Sequence, residues 1–439
     1  MFPDVTLPAS LAGLLAVFAP CFTAPTFRTF CGLVAGFVAQ TGRRTVTGML
    51  VGAGLSRVWP HDRAHYYFAK AAWSPDAVGL VLARLVVGVL VPAGEPVAVA
   101  VDDTLFNRRG RKVWAASWFH DGSAQAPAKV GFGNNWVIAG IVVRLPFLHR
   151  PVCLPVLAHL VCKDTTSASR LWLARRMVEQ LAAALPDRDI HVVADAAYAG
   201  GELRGLPERI TWTTRLRRDA ALYDVPPARS GRPGRPRVKG ARLPALATLA
   251  VTAVFTPAAV TRYGGTTTVH TASFTCLWYS VFGPRPVQVV LIREPGRATG
   301  FDLALVCTDT TASPATAIER YATRWSIEVA IEDAKQTFGA GQARNRKADA
   351  VRRTVPFGLF CQSLTIVWYT QSGHHPDDVA EHRARAPWYV TKSQPSVADM
   401  LAKLRRVIIA ARFRLPHPKQ PTLAEIHAIR LAWELNGAA

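Results

Sequence analysis

The sequence predicts an α/β fold built on a mixed sheet with flanking helices, and three observations carry that prediction. "VAVAVDDT" (97–104) and "DIHVVADAAYAG" (189–200) are short apolar runs ending in carboxylates, the pattern of buried strands. "NWVIAGIVVRL" (135–145) and "PVCLPVLAHLVC" (151–162) read as two further strands joined by the turn "PFLHR". "SASRLWLARRMVEQLAAAL" (167–185) is an amphipathic helix that comes only after three sequential strands, so the sheet is mixed and not all parallel.

Around this core the chain divides by composition. Residues 1–95 are mainly helical, with Arg43, Arg44 and Thr45 between two helices; this is either a helix-turn-helix with a basic turn or a helical packing domain. The apolar run 77–94 carries Arg84 and is expected as a buried helix. Residues 96–216 form the first part of the core, with "RITWTTRL" (209–216) as a further strand. Residues 217–300 form a β-rich insertion, opened by the Pro/Gly/Arg-rich stretch 225–244. Residues 301–375 return to the core, with 313–340 expected as one long helix capped by Ser313 ahead of Pro314. Residues 376–439 form a basic helical C-terminal region. "GFGNN" (131–135) lacks the Lys and Ser/Thr of a phosphate loop and reads as a turn.

The 439 residues, 50% hydrophobic, suffice for two or three domains. A net charge of +22, from 52 Lys+Arg against 30 Asp+Glu, points to a polyanionic partner and counts against neutral sugars. The run at 11–20 is too short to span a bilayer, so no membrane is expected. Seven scattered cysteines without a CxxC pair indicate a reducing compartment and neither zinc nor a disulfide framework. The expected location is cytoplasmic and nucleoid-associated.

"YATRWSIEVAIEDAK" (321–335) concentrates the chemistry. At about 100° per residue, Arg324, Glu328 and Lys335 fall within about 60° of Tyr321, while Ile327, Ala330, Ile331, Ala334 and Phe338 take the opposite face. On its own this polar face could be merely solvated. Two strands, however, end at Asp102–Asp103 and at Asp195, and carboxylates beyond adjacent strand ends can converge. A third carboxylate from a facing helix would complete an oxygen site for Mg²⁺ or Mn²⁺ that serves phosphoryl transfer.

The order and spacing of these residues resemble the DDE transposases of bacterial insertion sequences, whose catalytic core is RNase H-like. The branch with a Tyr-x2-Arg-x3-Glu-x6-Lys motif is the nearest in pattern: Tyr321, Arg324, Glu328 and Lys335 match it without a gap. The resemblance implies that Asp103, Asp195 and Glu328 ligate two Mg²⁺ (or Mn²⁺) ions. Thr104 after Asp103 favours it over Asp102; alternation sends the two side chains to opposite faces, so one of them binds metal. Glu332, one turn after Glu328, is not excluded by pattern alone. Tyr321, Arg324 and Lys335 would hold phosphates. The implied partners are double-stranded DNA, at transposon ends and target, and a second copy of the chain in a synaptic homodimer.

Secondary candidates carry competing readings. Trp278 either stacks on a base or, the favoured reading, packs within its own sheet. Arg232 and Arg235 in "GRPGRPR" form a minor-groove hook or, more commonly, a basic loop. Arg108, Arg109, Arg111 and Lys112 are expected to contact DNA beside the site. "KLRRVIIAARFR" (403–414) grips DNA backbone or is a solvated face, and His374–His375 is expected to be inert.

Overall fold

Thr45 and Ser74 start two of the five helices that open the chain, each accepting a hydrogen bond from an amide of the first turn. In this computed structural model, which describes residues 5–122, 129–163, 169–227, 237–412, 423 and 426–427, the helices are α1 (Ala9–Ala16), α2 (Ala24–Ala39), α3 (Val46–Gly52), α4 (His61–Ala69) and α5 (Pro75–Leu90). α5 is the expected buried helix, its Arg84 donating to the Ala184 carbonyl. In the basic turn between α2 and α3, Arg44 is buried, its Nε donating to the Phe37 carbonyl and its amide to Gln342, while Arg43 is exposed.

The sheet follows: β1 (Val97–Asn107), β2 (Ser117–His120), β3 (Val130–Val143) and β4 (Val152–Leu160), then α6 (Arg170–Ala184), β5 (Ile190–Ala194) and β6 (Ile210–Arg215). β3 pairs antiparallel with β1, β2 and β4, while β1, β5 and β6 run parallel. This is the mixed sheet with flanking helices that the sequence predicts. α7 (Leu246–Thr252), β7 (Thr256–Arg262), β8 (Gly265–Cys276), α8 (Tyr279–Phe282), β9 (Val287–Arg293) and β10 (Leu303–Cys307) come next. The β-rich segment does not stand apart, because β10 pairs with both β6 and β9 and one sheet runs through to β7.

"GFGNN" lies inside β3 and is not a turn. A Cβ on Gly133 would sit 2.3 Å from the Phe106 carbonyl oxygen, so β1 and β3 approach here only because the position carries no side chain.

The expected long helix 313–340 is two: α9 (Pro314–Ala322), capped by Ser313, and α10 (Trp325–Gln336). At the junction Thr323 Oγ1 donates to the Arg320 carbonyl and Ser326 Oγ to the Thr323 carbonyl, and amides there bond three residues back, tightening the turn. α11 (Ala348–Trp368), α12 (Asp378–Arg385) and α13 (Val397–Ala411) complete the described fold. α13 begins with a Ser396–Asp399 capping box, and its Arg405 is buried against the Val38 carbonyl, so this helix is not basic on a solvated face alone. Among the described residues no helix is long and apolar enough to cross a membrane.

Gly133→Ala should lower the thermal midpoint, at a cost of about 1–3 kcal/mol for overpacking against backbone that cannot yield. An unchanged midpoint would mean that the β1–β3 spacing is set elsewhere.

Candidate active site

Parity along β1 determines which side chains meet. Val97, Val99, Val101 and Leu105 belong to the core that includes Ala174, Met177, Val178 and Leu181 of α6. Ala100 and Phe106 belong to a second cluster with Ile327, Ala330, Ile331 and Ala334 of α10. Asp102 therefore faces α10, and Asp103 faces α6. β5 lies parallel to β1 with Ala194 opposite Val101, which brings Asp195 level with Asp102. Val193 is in the α10 cluster, so Asp195, two residues on, is directed to that same face.

Glu328 sits in the first turn of α10 and is ion-paired with Arg324. Asp102 feels both groups: burial first pushes its carboxyl up to about 7, Asp103 and Glu328 add repulsion, and the Asp103 amide and Arg324 oppose. Burial raises the Tyr321 hydroxyl, Arg324 opposes, and Asp195 reinforces the rise, which puts Tyr321 within the field of both. Burial works against the Arg324 cation, but Glu328, Tyr321 and Asp102 raise its pKa overall. Its Nε is buried without a hydrogen-bond partner among the described residues. Tyr321, Arg324, Glu328, Asp102 and Asp195 thus lie on one side of the sheet; Asp195 follows the end of β5, whereas β1 does not end at Asp102–Asp103 as the sequence suggests but runs on, paired with β3, to Asn107.

The resemblance favours Asp103 over Asp102 as a metal ligand; of the two, it is Asp102 that β1 presents to the α10 face. Asp103 is engaged on the other side: Oδ1 accepts from the Tyr198 hydroxyl (3.1 Å), Oδ2 accepts from Asn135 Nδ2 (2.9 Å), and Arg170 Nε pairs with Oδ2 (3.2 Å). Asn135 and Arg170 carry no motif of their own; the polar pair Asn134–Asn135 interrupting an apolar run is the sequence signal that could have marked the spot.

The other expected residues are dispersed. Glu332 is exposed and accepts from Gln336 Nε2 (3.1 Å). Lys335, two turns beyond Glu328, lies over the Phe106 ring (5.5 Å); burial lowers its pKa and Asp121 opposes. Arg108 is a strut, its Nε donating to Asn134 Oδ1 and its Nη1 to the Gly341 and Ala343 carbonyls, whereas Arg109, Arg111 and Lys112 are exposed. Trp278 is 2% exposed and lies edge-on to Phe282, so it offers no face to a base. His374 stacks on Phe147, and His375 Nδ1 accepts from the Asp377 amide. Arg232 and Arg235 lie outside the described residues. Among the described residues no three His, Cys, Asp or Glu side chains are grouped closely enough to hold a metal ion.

The profile of a family described as DDE superfamily endonuclease matches residues 17–278, well over half of the chain, spanning Asp102, Asp103 and Asp195 and ending before Glu328. No curated protein matches. Among solved structures, the cryo-EM structure of a piggyBac transposase synaptic complex with hairpin DNA is similar over 96% of this chain and 80% of that one, at 12% identity and a TM-score of 0.39. A likeness of that degree carries no weight for function.

A carboxyl raised as Asp102 is favours the folded state below its unfolded value of about 3.9. That contribution is lost as pH rises through about 7. In chelator, the thermal midpoint should therefore fall from about pH 5 to about pH 8 more steeply in wild type than in Asp102→Asn. Parallel curves would remove Asp102 from the electrostatic centre of this face.

Proposed function

The chain belongs to the DDE superfamily endonuclease family, and from that premise we propose that it is a DNA transposase of a bacterial insertion sequence. It binds the terminal inverted repeats, cleaves the ends by metal-dependent phosphodiester hydrolysis and joins the freed 3′ ends to target DNA. The observation that carries this reading is the placement of Asp102 on the α10 face in the field of Glu328 and its partner Arg324, with Asp195 in the field of Tyr321. The three carboxylates lie on one side of the sheet without being drawn into a closed cage.

The donor set suits hard divalent cations. Three carboxylates share one face, and one of them is raised by burial and by its neighbours' charge. Asp102, Asp195 and Glu328 would hold two Mg²⁺ or Mn²⁺ ions. When bound, such ions activate the attacking oxygen and stabilise the leaving one. Asp102 binds a cation only as the carboxylate, so it must give up a proton whose affinity lies near pH 7, and cation binding should strengthen as pH rises through about 7. The half-buried Arg324 guanidinium, fixed at one end by Glu328, would offer its exposed edge to a phosphate oxygen. Tyr321, beside it, fixes the same strand by its hydroxyl. Asp103, tied to α6, to β3 and to the turn after Asp195, would hold β1 in register beside the end of β5. A homodimer would bring two DNA ends together.

Supercoiled plasmid carrying the DNA that flanks the reading frame tests this. With Mg²⁺, wild type should nick and join it, while Asp102→Asn, Asp195→Ala and Glu328→Gln should each lose at least about 100-fold in rate. Asp103→Asn, which can still reach Tyr198 and Asn135, should lose less. If Asp103→Asn is dead and Asp102→Asn is active, the metal-facing carboxylate has been misassigned. Equal behaviour of all variants and wild type would leave a DNA-binding protein without the chemistry. Cleavage of branched DNA of any sequence would identify another kind of nuclease.

A further inference from the structure

The loops that leave β1 and α10 are locked together by half-buried groups. Arg108, just past the end of β1, donates from Nη1 to the Gly341 (2.6 Å) and Ala343 (2.9 Å) carbonyls of the α10–α11 loop. The Trp114 amide donates to the Arg346 carbonyl (3.0 Å), and the Arg352 guanidinium lies 4.2 Å from the Trp114 ring centroid. Gly341 has φ +87°, and a Cβ there would stand 2.4 Å from Phe106, so the loop settles directly on β1.

On this base stand six exposed cations: Arg109, Arg111 and Lys112 from one loop, Arg344, Arg346 and Lys347 from the other. None has an ion-pair partner among the described residues. Unpaired like charges held side by side repel one another, and only a polyanion that lies across both loops relieves all six at once. The ledge is also continuous with the candidate site. Phe106 is on the same face of β1 as Asp102 and four residues on, about 13 Å at strand rise. Lys335 lies over Phe106, at the join between the two.

We propose that the β1–β2 and α10–α11 loops form a single ledge, held as one unit by Arg108, along which duplex DNA backbone runs as it leaves the Asp102–Glu328 face by way of Lys335. The proposal rests on the nuclease reading for what happens at that face, and adds the direction in which the DNA lies.

The test uses the full chain and an arbitrary-sequence duplex of about three helical turns. The salt dependence of its affinity is compared among wild type, an Arg109→Ala/Arg111→Ala/Lys112→Ala triple and an Arg344→Ala/Arg346→Ala/Lys347→Ala triple. All six side chains are exposed, and an unchanged thermal midpoint for each triple checks the fold. Each triple should flatten the slope of log K against log [salt] by about 0.9 for every phosphate no longer neutralised. On a cleavable substrate, phosphate-ethylation interference should map the phosphates that each triple ceases to engage as neighbours on one side of the scissile phosphate. An unchanged slope in either triple, or phosphates mapped to both sides of the cut, would overturn the ledge. If the slopes change as expected while wild type and Glu328→Gln both fail to cleave, the ledge stands and the nuclease reading falls. If cleavage depends on Glu328 but neither triple alters the slope, the nuclease reading stands and the ledge falls.

Discussion

Adjacent residues of a β-strand cannot share a face, and at Asp102–Asp103 that constraint splits one acidic dipeptide into two different environments. Asp102 is turned into a face that already contains Glu328 and Asp195, where burial and like charge make its ionised form costly. Asp103 is turned into a set of donors, Tyr198, Asn135 and Arg170, that satisfy it. The two halves depend on each other. The satisfied carboxylate ties β1 to β3, to α6 and to the turn after β5, and so fixes where its neighbour points. A single-residue slip of β1 would exchange the two environments and leave neither workable.

The same division explains the pairing of Arg324 with Glu328. Tyr321 and Arg324 lie on either side of the α9–α10 junction, where hydroxyl groups of Thr323 and Ser326 donate to backbone carbonyls and tighten the turn. The tightened turn sets the guanidinium back over the first turn of α10, within reach of Glu328 and in the field of Asp102. Removing the cation would leave three acids on one partly buried face without compensation.

Much of this was legible in the sequence. The strands announced themselves because buried parallel strands are apolar on both faces, and the helix after Ser313 because that residue marks its start ahead of Pro314. That Arg324 and Glu328 lie side by side was legible because a spacing of four residues is local. What escaped depended on neighbours distant in sequence. Which aspartate faces α10 follows from which cluster its strand neighbours join, and no spacing within "VDDT" encodes it. Arg108 reads as a free surface cation until the loop more than two hundred residues later is placed over it. "GFGNN" reads as a turn because its glycines are judged alone, whereas Gly133 answers to the Phe106 carbonyl across the sheet. Likewise, the break at Thr323 lies within a run of good helical pattern and comes from two hydroxyls.

The unbroken sheet has a mechanical meaning. From β2 to β7 every neighbouring pair of strands is bridged by backbone hydrogen bonds, and β10 sits between β6 and β9 as a shared plank. A sheet resists shear along its hydrogen bonds far more than a hinge of loops resists bending. The β7–β8 hairpin therefore cannot swing as a separate flap: a push at its tip is carried through β9 and β10 into β6 and on to β5, whose end bears Asp195.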